Sequence, residues 1–182
     1  MDAGESAFWQ FSLRFYRRAQ VAPACITLQD ELGVDVNVLF YLLYLAVNQR
    51  SLTAEEVRRI DASIRAWRLT IVHPLRAIRR DLKSGITPVE LADSEALRSA
   101  IKRDELHAER LQQETLEREF PLSTTGTQAA LQVAAAANLA AYSTAINAMN
   151  RNNASGGLPE SVVQTLLSAL AAEFGNPQQT VK

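Results

Sequence analysis

Twelve consecutive residues, Val36-Asn37-Val38-Leu39-Phe40-Tyr41-Leu42-Leu43-Tyr44-Leu45-Ala46-Val47, carry no polar group after Asn37 except two tyrosine hydroxyls. A helix that is apolar on every side either spans a membrane or lies in the middle of a packed core. Twelve helical residues extend roughly 18 Å, against roughly 30 Å for a bilayer interior, so the segment reads as a core helix that other helices surround. This constraint predicts an all-α helical bundle built around residues 36–47.

The flanks of that helix are closely specified. Asp35 stands at the N-cap, with its carboxylate placed to accept from the amides of Asn37 or Val38. Val34 and Leu39 have the spacing of a hydrophobic staple. Gly33 fits the left-handed position just past a preceding helix, and Pro23 fits near the start of that helix. Pro23–Leu32 and Asp35–Val47 therefore read as two helices joined by a sharp corner. The cap alone predicts a loss of about 1 kcal/mol for Asp35→Ala.

Upstream, Phe8, Phe11 and Phe15 share one helical face, broadened by Trp9, Leu13 and Tyr16, as a first helix covering a core requires. Downstream, Thr53 and Glu56 have capping-box spacing. Val57, Ile60, Ile64, Trp67, Ile71, Leu75, Ile78 and Leu82 then recur every three or four residues, predicting an inward stripe. The stripe runs straight through Pro74, whose missing amide and ring clash predict a kink or break near Thr70–His73. The helix pair is expected to end at Gly85, with Lys83 favourable at its C-terminal dipole.

After the connector Gly85-Ile86-Thr87-Pro88, residues 94–120 read as one long helix with Leu97, Ile101, Ala108 and Leu111 on one side and Leu106, Leu116 and Phe120 off that line. From Leu122 charges nearly vanish, and Thr127–Asn150 reads as an alanine-rich helix whose seam is Leu131, Ala135, Asn138, Tyr142, Ala145 and Met149. A loop over 152–157, a last helix over Pro159–Phe174 and a frayed end over Asn176–Lys182 complete the chain. The expected organisation is a helical core domain over 1–120 and an alanine-rich helical extension over 121–182.

The single cysteine, Cys25, excludes an internal disulfide, and its helical spacing with Leu28 and Leu32 marks it as a buried small hydrophobe. The first six residues lack the basic and apolar regions of a signal peptide, so a cytoplasmic protein is expected, and no membrane association. Two distant histidines and one cysteine give no zinc-ligand spacing. There is no phosphate loop, nucleophile elbow or magnesium-type carboxylate pair, so no metal, cofactor or catalytic residue is assigned and an enzyme is not favoured.

Two polar clusters stand out. Gln29, Asp30, Asp35 and Asn37 gather at the helix corner, where locking a turn and holding a ligand are both open. Between Arg58 and Lys83, seven arginines and one lysine face only Asp61 and Asp81, and Arg65, Arg68, Arg76, Arg79 and Lys83 keep nearly one angular position. Between Glu90 and Glu119, nine acids outweigh five bases, so this long helix is expected to lie beside the arginine helix.

The blocks Phe8-Trp9-x-Phe11-Ser12-Leu13-x-Phe15-Tyr16, Ala24-Cys25-Ile26-x-Leu28-Gln29-Asp30-x-x-Gly33-x-Asp35-Val36-Asn37-x-Leu39-Phe40, and Trp67-Arg68 with Pro74-Leu75-Arg76-x-x-Arg79-Arg80-x-Leu82-Lys83 resemble a family of small bacterial proteins classed as a domain of unknown function. The resemblance covers about residues 8 to 120. It implies a small helical cytoplasmic protein and no particular chemistry. Its motif joins Gln29, Asp30, Asn37, Arg68, Arg76, Arg79 and Arg80, so a single polar site is expected if the corner and the arginines near Pro74 meet. The leading expectation is a non-catalytic module binding another protein or itself through the arginine face or the long C-terminal helices. The alternative is a small-ligand protein or enzyme with a pocket between the Asp30–Asn37 corner and the Pro74 kink, for a phosphorylated or lipid-like ligand. Nucleic-acid binding by the arginine helix is a third reading, disfavoured because no aromatic residues alternate with the arginines and net charge is −1.

Overall fold

Gly33 takes φ +65°, and its amide donates to the carbonyl of Leu28, ending one helix where a side chain would be strained. Two residues later the Asp35 carboxylate accepts from the amides of Asn37 and Val38 at 2.8 and 3.2 Å, starting the next. This corner belongs to a computed structural model describing residues 6–86, 88–149 and 157–175. The helices are α1 (Ala7–Tyr16), α2 (Val21–Leu32), α3 (Val36–Val47), α4 (Ala54–Trp67), α5 (His73–Asp81), α6 (Leu91–Glu119), α7 (Leu131–Met149) and α8 (Glu160–Phe174). A π-turn over Arg68–Val72 joins α4 to α5, and a 3-10 turn over Leu82–Ser84 ends at Gly85, whose φ is +72°. The frayed end expected over 176–182, most of the loop expected over 152–157, Thr87 of the connector and the Met149 side chain lie outside the described residues.

From Asn37 to Ala46 every residue of α3 is buried, with Phe40, Leu43 and Tyr44 at 2%, 0% and 7% exposure. The first helix lays its aromatic face on this rod. Phe8 meets Tyr41 edge-on at 4.9 Å between ring centroids, and Phe15 meets Phe40 at 5.3 Å. Thr53 and Glu56 complete the expected capping box at the start of α4.

The shift in composition at Leu122 does not coincide with a break in packing. Ala134, Ala135, Leu139, Tyr142 and Ala145 of α7 belong to the same continuous core as α3, and Leu166 and Leu170 of α8 extend it. The small alanine side chains bring α7 close to α3. A two-residue antiparallel pairing, β1 (Arg50–Ser51) with β2 (Thr127–Gln128), anchors the approach to α7 and was not expected from sequence. Gly126 makes it sterically feasible, since a Cβ there would sit 2.6 Å from the Ser51 carbonyl oxygen.

Asn138, fully buried, accepts from the Leu52 amide at 2.7 Å and donates to the Leu42 and Arg50 carbonyls at 2.9 and 3.0 Å. One side chain thereby ties α7 to α3 and to the strand leading into α4. Asn138→Leu should lower stability by about 3 kcal/mol, because it leaves the Leu52 amide and the Arg50 carbonyl without this partner. Urea unfolding should show this as a lower midpoint with an unchanged slope.

Candidate functional site

Pro74 has no amide hydrogen for the carbonyl four residues before it. The chain resolves this with the π-turn, in which the His73 amide reaches back five residues to the Arg68 carbonyl. The extra residue advances the inward register by one. Where the α-helical stripe predicted Ile71, Leu75 and Ile78, the structure turns Val72, Arg76 and Arg79 toward α6, and Ile78 is 45% exposed. Of the expected apolar stripe, Leu82 beyond the kink is buried and Ile71 and Leu75 are half-buried, so Ile78 is the member left outside. Nor do the arginines share one face: Arg65 is exposed, Arg68 is buried, and Arg76 and Arg79 are half-buried.

Arg68 enters a closed polar cluster. Its Nη1 lies 2.9 Å from Asp35 Oδ2 and 2.8 Å from Asp61 Oδ1, and its Nη2 donates to Asp61 Oδ2 at 3.2 Å. Gln112 Nε2 donates to Asp35 Oδ2 at 2.7 Å, and Tyr142 exchanges hydrogen bonds with the Asp35 backbone at 3.2 and 3.3 Å. Burial opposes the charged guanidinium, but the hydrogen bonds it donates to Asp61 and the charge of Asp35 outweigh it and raise its pKa. Burial likewise pushes the Tyr142 hydroxyl far above its usual range.

The expected neighbourhood of the arginine and acidic helices is present. Arg76 Nε donates to Glu105 Oε1 at 2.9 Å and its Nη2 to Glu109 Oε1 at 2.5 Å, while Arg79 also bonds Glu105. Burial works against the Glu105 carboxylate, yet its bonds to Arg79 and Arg76 hold it below the usual carboxylate range. For Glu109 burial prevails and its pKa rises. His73 is lowered by burial and then by the charges of Arg76 and Arg68. The side of α6 that faces inward is thus mixed: Glu105, Gln112 and Gln113 are buried beside Ala108 and Leu116, whereas Leu97 and Leu111 of the expected side are exposed, as is Leu106 off that line.

Between α1, α2, α5 and α6 lies a groove of about 660 Å³. Leu13, Val36 and Phe40 give it apolar walls, and the half-exposed Tyr16, Ile26 and Leu106 stand at its margin. Arg76, Arg79, Arg80 and Lys83 line one side, Arg98 and Lys102 another, and Arg17 an end, against two carboxylates, Glu105 and Glu109. Arg80 bonds Asp30 at 2.6 Å and Arg98 bonds Glu95. The side chains of Lys83, Lys102 and Arg17 are exposed and make no hydrogen bond or ion pair within 4 Å among the described residues.

The structure thus brings most of the expected polar residues to one place. Gln29, Asn37, Arg76, Arg79 and Arg80 line the groove, and Asp30 joins its rim through Arg80. Asp35 and Arg68 stand behind it in the closed cluster. Gln113 connects the two layers, being next in sequence to Gln112 and donating to Asn37 Oδ1 at 2.7 Å. Sequence reasoning missed Asp61, Ser12, Arg17, Glu105, Glu109, Gln112, Gln113, Arg98 and Lys102 as parts of this region. The available signals were Asp61 seven residues before Arg68 on one helical face, and adjacent amides within an otherwise charged helix. Cys25 also lines the groove, but burial raises its thiol to about 12, which leaves it protonated and unreactive.

Residues 7–116 match the DUF2390 family, described as proteins of unknown function. The chain belongs to that family. The DUF2390 segment ends at the inward face of α6, so it contains the whole groove and all of the closed cluster except Tyr142. No curated protein and no solved structure matches the chain. Among the described residues no helix is long and apolar enough to cross a membrane, and no group of three His, Cys, Asp or Glu side chains is placed to hold a metal ion.

Asp35→Ala should cost about 4 kcal/mol rather than the 1 kcal/mol of the cap, because it strands Arg68 beside one carboxylate and removes the acceptor of Gln112. Asp35→Asn keeps a capping oxygen and should cost less, which chemical denaturation of the two variants will resolve. Glu105→Gln should cost about 2–3 kcal/mol at neutral pH by weakening the bonds to Arg76 and Arg79. The folded-state pKa of Glu105 is depressed. The advantage of wild type over Glu105→Gln should therefore be fully present above the ordinary value of 4.5 and vanish as pH falls through the lower folded value.

Proposed function

We propose that this DUF2390 protein is a non-catalytic binding module, and that its site is the groove between α1, α2, α5 and α6, which accepts a small ligand with an anionic head and an apolar body. The observation that carries this reading is the unengaged charge at the margin: Lys83, Lys102 and Arg17 make no bond of their own beside the apolar walls of Leu13, Ile26 and Leu106. The groove volume lies within the range of small-molecule sites, roughly 300–1,000 Å³. A protein partner docking on the arginine face would have to displace Glu105 and Glu109 from Arg76 and Arg79, whereas a small anion meets lysines that are already available. Stacked nucleobases fit less well, since of the aromatic residues lining the groove Trp9 and Phe40 are buried and Tyr16 alone is exposed.

Decanoate and 1-decanol are suitable probes because they share a chain and differ in charge. Titration calorimetry at low salt should detect one decanoate per chain, bound more tightly than decanol. Lys83→Glu/Lys102→Glu should weaken decanoate about tenfold or more, with little effect on decanol. Absence of decanoate binding, or binding indifferent to the double charge reversal, overturns the reading. Both lysines are exposed and unpaired, so the variant should fold normally.

A further inference from the structure

The two carboxylates of the groove wall, Glu105 and Glu109, are held unequally. Arg76 and Arg79 give them four hydrogen bonds, and three of these go to Glu105, whose side chain is 8% exposed. Glu109 receives one, from Arg76 Nη2 to its Oε1, and its side chain is 23% exposed. Its Oε2 makes no hydrogen bond among the described residues and is not one of the sealed unpaired oxygens, so it reaches accessible surface on a side chain that lines the groove. Of two like charges that share one guanidinium, the less well held is the first to take a proton. Burial already raises the Glu109 pKa, against the pull of Arg76 and with the push of Glu105.

Lys102 stands seven residues before Glu109, hence on nearly the same side of α6 and about 10 Å along it, with Leu106 between them. A ligand head at Lys83 and Lys102 brings negative charge to within about one Debye length of Glu109, and an apolar body along Leu106 withdraws water from it. Both effects disfavour an ionised carboxylate. Resting on the reading of the groove as a ligand site, we propose that Glu109 is its specificity-determining residue: an anionic ligand enters as Glu109 takes a proton from solvent, keeps Arg76 through Oε1 and presents Oε2–H as a donor in the groove. The groups around Glu109 are Tyr16 of α1, Cys25 of α2, Asp35 at the head of α3, Arg76 and Arg79 of α5 and Glu105 of α6, with Arg17, Arg80, Lys83, Arg98 and Lys102 completing the charged wall. Burial pushes the Cys25 thiol up to about 12 and also raises the Tyr16 hydroxyl, so neither ionises near neutral pH. Arg79 and Arg76 keep Glu105 ionised, and Asp35 is engaged by Arg68 and Gln112. His73 and His107 do not line the groove.

Glu109 then holds its proton more tightly in the complex than in the free protein. The added affinity is therefore present in full below the free-protein pKa and is lost as pH rises through that of the complex. Decanesulfonate is the probe, because its head, unlike that of decanoate, stays ionised throughout. At low salt its affinity should rise about tenfold from about pH 8 to about pH 5. Calorimetry in two buffers of different ionisation enthalpy should show uptake of up to about one proton per ligand. Glu109→Gln imitates the protonated acid, so at the upper pH it should bind as tightly as wild type does at the lower, with a flat profile and no uptake. A residue with a merely structural role would not flatten the profile. His73→Gln/His107→Gln should keep both the rise and the uptake. Wild-type binding without uptake, uptake that survives Glu109→Gln, or uptake lost in the histidine variant overturns the role of Glu109 and leaves the groove as an anion site. If decanesulfonate binds at no pH, the groove reading falls as well. Wild type and the histidine variant decide the matter even if Glu109→Gln is unstable.

Discussion

The Asp35 carboxylate is the interaction on which the other contacts converge. One oxygen closes the first turn of α3, the other accepts from Arg68 on the π-turn and from Gln112 on α6, and Tyr142 of α7 holds the backbone behind it. A buried ion pair adds little net stability over well-packed apolar side chains, yet an unmatched buried charge costs several kcal/mol. The cluster therefore acts chiefly by exclusion. Any packing of the π-turn or α6 that fails to deliver Arg68 and Gln112 to Asp35 is penalised, while the apolar rod of α3 would accept many packings almost equally. Hydrophobic burial provides the driving force, and the carboxylate specifies which arrangement receives it.

That division explains why polar residues occupy positions normally reserved for apolar ones. On α6 the inward residues Glu105, Gln112 and Gln113 answer Arg76, Asp35 and Asn37 in turn. Leu116 of the same helix reaches the core, but Leu97, Leu106 and Leu111 are left outside, and Leu106 becomes part of the groove margin. The wall of the groove and the structural lock are neighbouring turns of the same two helices.

The helix corner was legible because each of its residues has one dominant local role: glycine for a positive φ, aspartate for a cap, and an unbroken apolar run for burial. The capping box at Thr53 and the stop at Gly85 were legible for the same reason. The long helix was placed within a few residues, but its buried side was misread, since periodicity counts leucines and cannot see that a glutamine has a partner 76 or 77 residues away. The register after Pro74 was misread because a proline announces a disruption without announcing its form; a kink and a π-turn leave the same trace in sequence. Of the site, the corner amides and the arginines were visible as residue types. Ser12 and Gln113 were not, because only the fold brings α1 and α6 together along one groove.

The five-residue turn at Arg68–Val72 holds one residue more than an α-helical turn would, and it absorbs that residue locally. Dropping a single codon there would let the backbone run on as an ordinary α-helix while the side chains beyond it kept their present faces, so Arg76 and Arg79 would still meet α6. A codon lost further along α5 has no such slack and would turn everything beyond it by about 100°. The turn thus gives the helix pair slack in length that its regular stretches do not have.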